Sequence, residues 1–140
     1  MSRQQYTRDN LAEVLRARGI TPTHQRIEIA HAIFSHGEHL SADRILALVN
    51  DRASETSKAT VYNTLNLFLQ KQLIREVIVD PSKVFYDPNT DPHHHFYNVD
   101  TGELTDIDAR GIRVTGLPAL PRGMATAGMD IIVRIRSMPA

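Results

Sequence analysis

The chain has 140 residues, 41 % of them hydrophobic, with 16 Lys+Arg against 16 Asp+Glu and no cysteine. That length suits one ordinary domain or two small ones around a packed core, and the missing cysteines exclude disulfides and any thiolate zinc site. No run approaches a membrane span, and the N-terminal "MSRQQYTRDNL" lacks an apolar secretory core, so a cytoplasmic protein with no membrane partner is expected.

The neutral total hides a split. Residues 1–75 hold ten Lys+Arg against seven Asp+Glu, and residues 76–140 hold six against nine. Aromatic residues are 6 % and Trp is absent, so the core must rest on Leu, Ile, Val and Ala.

The first half reads as helical. Leu11, Val14, Leu15 and Arg18 follow a 3.6-residue period, and Gly19 closes the pattern. "TPTHQR" supplies the next start, with Thr21 as N-cap and Pro22 at the first helical position. Ile27, Ala30, Ile33 and Phe34 form its apolar stripe, broken at Gly37. Ser41 opens a third helix, with Asp43 in the first turn where a negative charge suits the dipole, and Ile45, Leu48 and Val49 inward. Ser57 caps a fourth, striped by Val61, Leu65 and Phe68.

The period then changes to alternation. "LIREVIVD" and "VFYD", separated by the turn "DPSK", predict a two-stranded hairpin. Helices followed by such a hairpin outline a winged helix-turn-helix. "DPNTDP" is turn-rich and short enough to be a hinge. After it "HHHFYNV", "TGELTDI" and "MDIIVRIR" read as strands, with Thr101-Gly102 turning between the first two. Pro118 and Pro121 argue against a long helix in the segment before the last strand. Alternating Ile131, Val133 and Ile135 need a covered face.

Two segments carry chemistry. Ser57, Lys58, Thr60, Tyr62 and Asn63 crowd the first turns of the fourth helix, the part that a helix-turn-helix presents to the major groove. Lys58 would neutralise a phosphate, Thr and Tyr can touch a thymine methyl, and Arg16, Arg18 and Arg26 could add backbone contacts. The same residues also read as the solvated end of a helix in any small helical domain.

The other segment is "DPHHHFYNVDTGELTDID". Along a strand His93 and His95 share a face, about 6–7 Å apart, and His94 takes the other. Asp106 can fold back beside them through the Thr101-Gly102 turn. Asp87 precedes the hinge and His39 lies just before the Ser41 helix. Three imidazoles and two carboxylates suit Fe²⁺, Mn²⁺ or Zn²⁺, and five donors favour a coordination number above the usual four of zinc. Taken singly, His39 reads as a loop or capping histidine, and Asp87 and Asp106 as surface carboxylates.

In order and spacing, "GITPTHQRIEI", "HLSADRI", "KATVYNTLNLFLQKQLI" and "HHH" followed by "TGELTDI" resemble the ferric-uptake-regulator (Fur) family, from about Leu11 to Arg136. The resemblance implies an α+β chain with three parts: a winged-helix DNA-binding domain over 1–86, a hinge at 87–92, and a small α/β dimerisation and metal-sensing domain over 93–140. It implies a homodimeric regulator of double-stranded DNA that recognises AT-rich inverted repeats, with one divalent metal per subunit (Fe, Mn or Zn). It implies that His39, Asp87, His93, His95 and Asp106 form an inter-domain metal site, since the spacings from Asp87 to His93 and from His95 to Asp106 match the family without gaps.

Asn63 stands where most of the family has Arg. "TVYNTLN", the cysteine-free "HHHFY" and the "DIIVRIR" ending look most like the Irr (iron response regulator) branch. That branch implies a repressor of iron-homeostasis genes and a haem-binding use for His93, His94 and His95, although a solvent-facing or supporting place for His94 ranks first. Asp106, rather than Glu, resembles the peroxide-sensing PerR branch, in which iron promotes oxidation of a ligand histidine, here His39 or His93. Asn98 and Thr101 occupy positions where many relatives carry the CxxC of a structural zinc, so no such zinc is expected. A hydrolytic centre is disfavoured, because five donors leave little room for substrate and no H-E-x-x-H pattern occurs. A metal carrier without a DNA role would leave the helix–wing segment without a purpose.

Overall fold

The structure, a computed structural model, describes residues 6–36, 39–53 and 56–139. These fall into two compact units that divide between Thr90 and Asp91, within the stretch read as a hinge.

The first unit runs α1 (Arg8–Ala17), α2 (His24–His36), α3 (Ala42–Ala53), α4 (Lys58–Gln70), β1 (Arg75–Asp80) and β2 (Lys83–Asp87). Each helix starts where a hydroxyl can take an otherwise unpaired backbone N–H. Thr7 accepts from Asn10, Ser41 from Arg44 and Ser57 from Thr60, all at 3.1 Å. α1 ends through Gly19 at φ 73°, with Ile20 N–H returning to the Leu15 carbonyl at 2.9 Å. α4 ends likewise, but its left-handed residue is Gln72, at φ 58°.

The start of α2 corrects the sequence expectation. The cap is Thr23, not Thr21, because the Thr23 hydroxyl takes the Arg26 N–H at 3.2 Å. Thr21 and Pro22 stay outside the helix, where the Arg26 guanidinium donates to the Thr21 carbonyl at 2.9 Å. The break expected at Gly37 lies outside the described residues; α2 itself runs to His36.

Leu11, Leu15, Ile29, Ile33, Ile45, Leu65 and Phe68 are fully buried and form one apolar cluster with Tyr86 of the hairpin. α2 packs against α1, α3 and α4. A helix surrounded on three sides buries more than one stripe, which is why Ile29 is fully buried while Ile27 and Phe34 are only partly so. β1 and β2 form the antiparallel wing, with Val77 opposite Phe85.

The second unit is a three-stranded sheet of β3 (His93–Asn98), β4 (Leu104–Asp108) and β5 (Ile132–Ile135), in the order β4-β3-β5. β3 pairs antiparallel with β4 and parallel with β5. A parallel pair needs a long crossover. Here it consists of a 3-10 turn (Ala109–Gly111) and residues 112–131, which form neither helix nor strand and are almost wholly exposed. The only helical piece among the described residues of this unit is that turn, in keeping with Pro118 and Pro121. Among the described residues no helix is long and apolar enough to cross a membrane.

Strand parity divides the sheet. His93, His95, Tyr97, Leu104 and Asp106 share one face, whereas Phe96, Val133 and Ile135 share the other and are each more than one third exposed.

Candidate metal centre

Each unit places part of the expected donor set. In the first, Leu40 and Tyr86 form a single antiparallel bridge, exchanging backbone hydrogen bonds of 3.2 and 2.8 Å. The next positions outward are His39 and Asp87, so the bridge brings the two side chains together. His39 Nε2 lies 3.1 Å from Asp87 Oδ2. Asp87 is buried, and its Oδ1 accepts from the Asn89 N–H at 2.9 Å, which leaves Oδ2 for the imidazole side.

In the second unit the β3–β4 register sets His95 opposite Asp106 and His93 opposite Asp108. The His93 and His95 rings lie on one face with centroids 4.6 Å apart. Both direct Nε2 towards the same carboxylate oxygen, Asp106 Oδ1, at 3.5 Å from His93 and 3.3 Å from His95. His93 Nδ1 donates to the Asp91 carbonyl at 2.6 Å, which orients the ring with Nε2 towards Asp106. Metal-binding histidines are oriented in this manner.

Two neighbours are engaged elsewhere. Asp108 is bonded by the Arg110 guanidinium at 2.8 Å, and that hydrogen bond is the first cause holding its carboxyl down to about 2. His94 lies on the other face, where its Nδ1 accepts from the Ile131 N–H at 3.1 Å and ties the start of β5 to β3.

The donor chemistry fits a divalent ion. Donors about 2.1 Å from an ion and set at tetrahedral or octahedral angles are about 3.0–3.4 Å apart. The spacing within each unit, 3.1 Å in the first and 3.3–3.5 Å in the second, lies in or beside that range. Imidazole with carboxylate suits Fe²⁺, Mn²⁺ or Zn²⁺.

The residues read as DNA-facing separate into two groups. Ser57 and Thr60 are used within the cap of α4, their hydroxyls 2.9 Å apart. Arg18 donates to the Gln72 carbonyl, Arg26 to the Thr21 carbonyl, and Arg16 pairs with Glu13. Lys58, Tyr62 and Asn63 project outward, with Lys58 Nζ 5.9 Å from the Tyr62 ring centroid and 3.8 Å from Asp43.

Residues 17–132 match the model of the Ferric uptake regulator family. The chain belongs to that family. It is 30 % identical over 93 residues to the peroxide-responsive repressor PerR of Staphylococcus epidermidis (strain ATCC 12228 / FDA PCI 1200), which covers 66 % of this chain and 62 % of the relative. The chain thus spans less than two thirds of that relative's length. Its fold is that of the ferric uptake regulator from Francisella tularensis with iron (TM-score 0.69, 22 % identity, 85 % of this chain and 92 % of the other). The regulator from Pseudomonas aeruginosa with manganese is similar too (TM-score 0.68, 22 % identity, 91 % and 97 %).

This Fur-family chain uses local hydrogen bonds where the resemblance sets aside cysteines. Asn98 Oδ1 accepts from the Asp100 and Thr101 N–H groups at 2.9 and 3.2 Å, and the Thr101 hydroxyl accepts from Glu103 at 3.2 Å. Gly102, at φ 77°, closes the turn by donating to the Asn98 carbonyl. Sequence reasoning missed the Asp91 carbonyl behind His93 and the Arg110 hold on Asp108. The first is a backbone group without a residue signature. The second was readable from the D-x-R spacing.

Proposed function

We propose that this chain is a metal-responsive, DNA-binding transcription repressor in which His39, Asp87, His93, His95 and Asp106 together hold one divalent ion per subunit. The observation that carries the reading is the convergence of His93 and His95 Nε2 on Asp106 Oδ1. The family, one of transcription regulators rather than enzymes, supports it. A bound dication supplies positive charge that five donors can share. His39 and Asp87 belong to the winged-helix unit and the other three to the sheet unit, so filling the set restrains one unit against the other. The restraint fixes the separation of the two α4 helices in a homodimer, and only separations near a helical turn of DNA or a multiple let both dock on an inverted repeat. Metal thereby shifts a population between competent and incompetent arrangements. The half-exposed face of Phe96, Val133 and Ile135 supports the homodimer.

The test is a gel shift on an AT-rich inverted repeat, with Mn²⁺ or chelator and with His93→Ala. Metal-dependent binding lost in the variant is expected. Binding indifferent to both would sink the metal restraint while leaving DNA recognition standing.

The regulated function is iron homeostasis in the Irr-like reading, with haem a further ligand of the His93–His95 tract. The Staphylococcus relative favours a second, peroxide-sensing reading. There peroxide transfers one oxygen atom to the imidazole of His39 or His93 and leaves as water. Mass spectrometry of the Fe²⁺ form after peroxide separates the two. A histidine peptide heavier by one oxygen atom supports the second reading; no adduct, with a Soret band on adding haem, supports the first.

A further inference from the structure

Resting on the metal reading above, we infer that His94 is a positioning residue that couples the sheet half of the metal centre to β5, by holding the Ile131 N–H on its imidazole. Among the described residues β5 pairs only with β3, over a ladder of four residues. The chain leading into it, residues 112–131, forms neither helix nor strand and is almost wholly exposed. Little besides β3 therefore sets where β5 begins. The two N–H groups that flank β5 both go to side chains. Ile131 donates to His94 Nδ1 at 3.1 Å, and Ser137 donates to Asp100 Oδ2 at 2.8 Å. Each of these bonds joins residues 37 apart, the same separation that the ladder has where His95 faces Ile132. Both ends are thus strapped in a single register, and a slip of one residue breaks both bonds.

Of the two straps, His94 is the one placed to feel the metal. Its neighbours His93 and His95 direct Nε2 to Asp106 Oδ1 from one face of the sheet, and its own ring lies on the other. When two imidazoles two residues apart are fixed at one point, the pleat between them is fixed as well. The residue in that pleat is His94, so the direction of its ring is set with it. The backbone repeats the connection, because His95 N–H donates to the Ile131 carbonyl at 3.1 Å. Both polar groups of the Ile131 backbone are therefore held by successive residues of the donor strand. Ordering the donors lowers the remaining cost of ordering β5, which is a coupling through local stability. It reaches the Val133 and Ile135 face that supports the homodimer.

The experiment is amide hydrogen exchange on the purified full chain, without metal and with saturating Mn²⁺, for wild type, His94→Ala, His94→Gln and His94→Asn. Asparagine carries its Oδ1 on Cγ, as histidine carries Nδ1, and so keeps the acceptor; glutamine sets it one bond further out. In wild type Mn²⁺ slows exchange over His93–Asn98 and also over Ile131–Ile135. In His94→Ala and His94→Gln the first effect stays and the second is lost. Ile131–Ile135 then exchange roughly 2- to 13-fold faster than in the Mn²⁺-bound wild type, the worth of one hydrogen bond. His94→Asn restores the second effect, and His94→Gln decides the matter if the alanine chain does not fold. Wild-type slowing of Ile131–Ile135 in the glutamine variant overturns the coupling, as does failure of His94→Asn to restore it. So does a wild type in which Mn²⁺ slows β3 but not β5. These three outcomes leave the metal reading standing, whereas no Mn²⁺ effect anywhere in wild type overturns both.

Discussion

His95 and Asp106 are cross-strand partners, and the carboxylate Oδ1 of one lies 3.3 Å from the imidazole Nε2 of the other. His95 is fully buried, whereas Asp106 is half-exposed. Asp106 can therefore be truncated without opening a cavity. Asp106→Ala is expected to keep the fold and to weaken Mn²⁺ binding at least as much as loss of an outer partner of a ligand, about 10- to 100-fold. Calorimetric titration with Mn²⁺ alongside circular dichroism checks both parts. Unchanged affinity would remove Asp106 from the donor set.

Arg8 and Glu28 join α1 to α2 through two bonds of 2.6 and 3.1 Å. The hydrogen bond from Arg8 is the first cause holding the Glu28 carboxyl below its ordinary value of 4.5. A lowered folded value means the pair stabilises fully above that ordinary value and loses its effect as pH falls through the folded one. Arg8 is half-exposed, which limits the gain to about 1 kcal/mol. Arg8→Ala should cost up to that amount in urea melts at pH 7. The cost should vanish in acid, once Glu28 is protonated in both proteins.

Ser57 caps α4 through its hydroxyl, and removing such a cap typically costs about 1 kcal/mol. Ser57→Ala should lower the denaturation midpoint accordingly, and Ser57→Asp, which can cap, should restore most of it. The aspartate also adds a negative charge at the end of α4. Stability and DNA affinity should therefore part company in that variant: the cap returns, but binding does not.

Gln72 holds a left-handed conformation at φ 58°, which costs a side-chain-bearing residue roughly 1–2 kcal/mol and glycine almost nothing. Gln72→Gly is expected to stabilise the first unit by up to about 1 kcal/mol, the greater freedom of unfolded glycine offsetting part of the relief. Thermal melts would register the gain, and a lowered midpoint would show that this conformation carries no strain.

The helices were readable because one-sided burial leaves a period. Val61, Leu65 and Phe68 are expected from the spacing of α4 and are buried in the structure. α2 was less readable because it is covered on several sides. The β3 half of the site was readable from alternation, which puts His93 and His95 on one face whatever pairs with them. The meeting of His39 with Asp87 was not, since it depends on a single bridge between Leu40 and Tyr86 that leaves no local pattern. Only the resemblance to a known family pointed there. Residues 112–131 carry apolar side chains such as Leu117 and Met124 without a period, and the structure leaves both exposed.

The β3–β4 ladder makes the sheet half of the site a matter of odd and even numbers. Slipping β3 by one residue against β4 would turn His93 and His95 away from Asp106 and offer it His94 or Phe96 instead. A single insertion or deletion in the turn at Asn98–Gly102 could thus disable the donor set without touching a donor. The bonds that Asn98 and Thr101 make to that turn fix its length, so they act as the counting device on which the histidines depend.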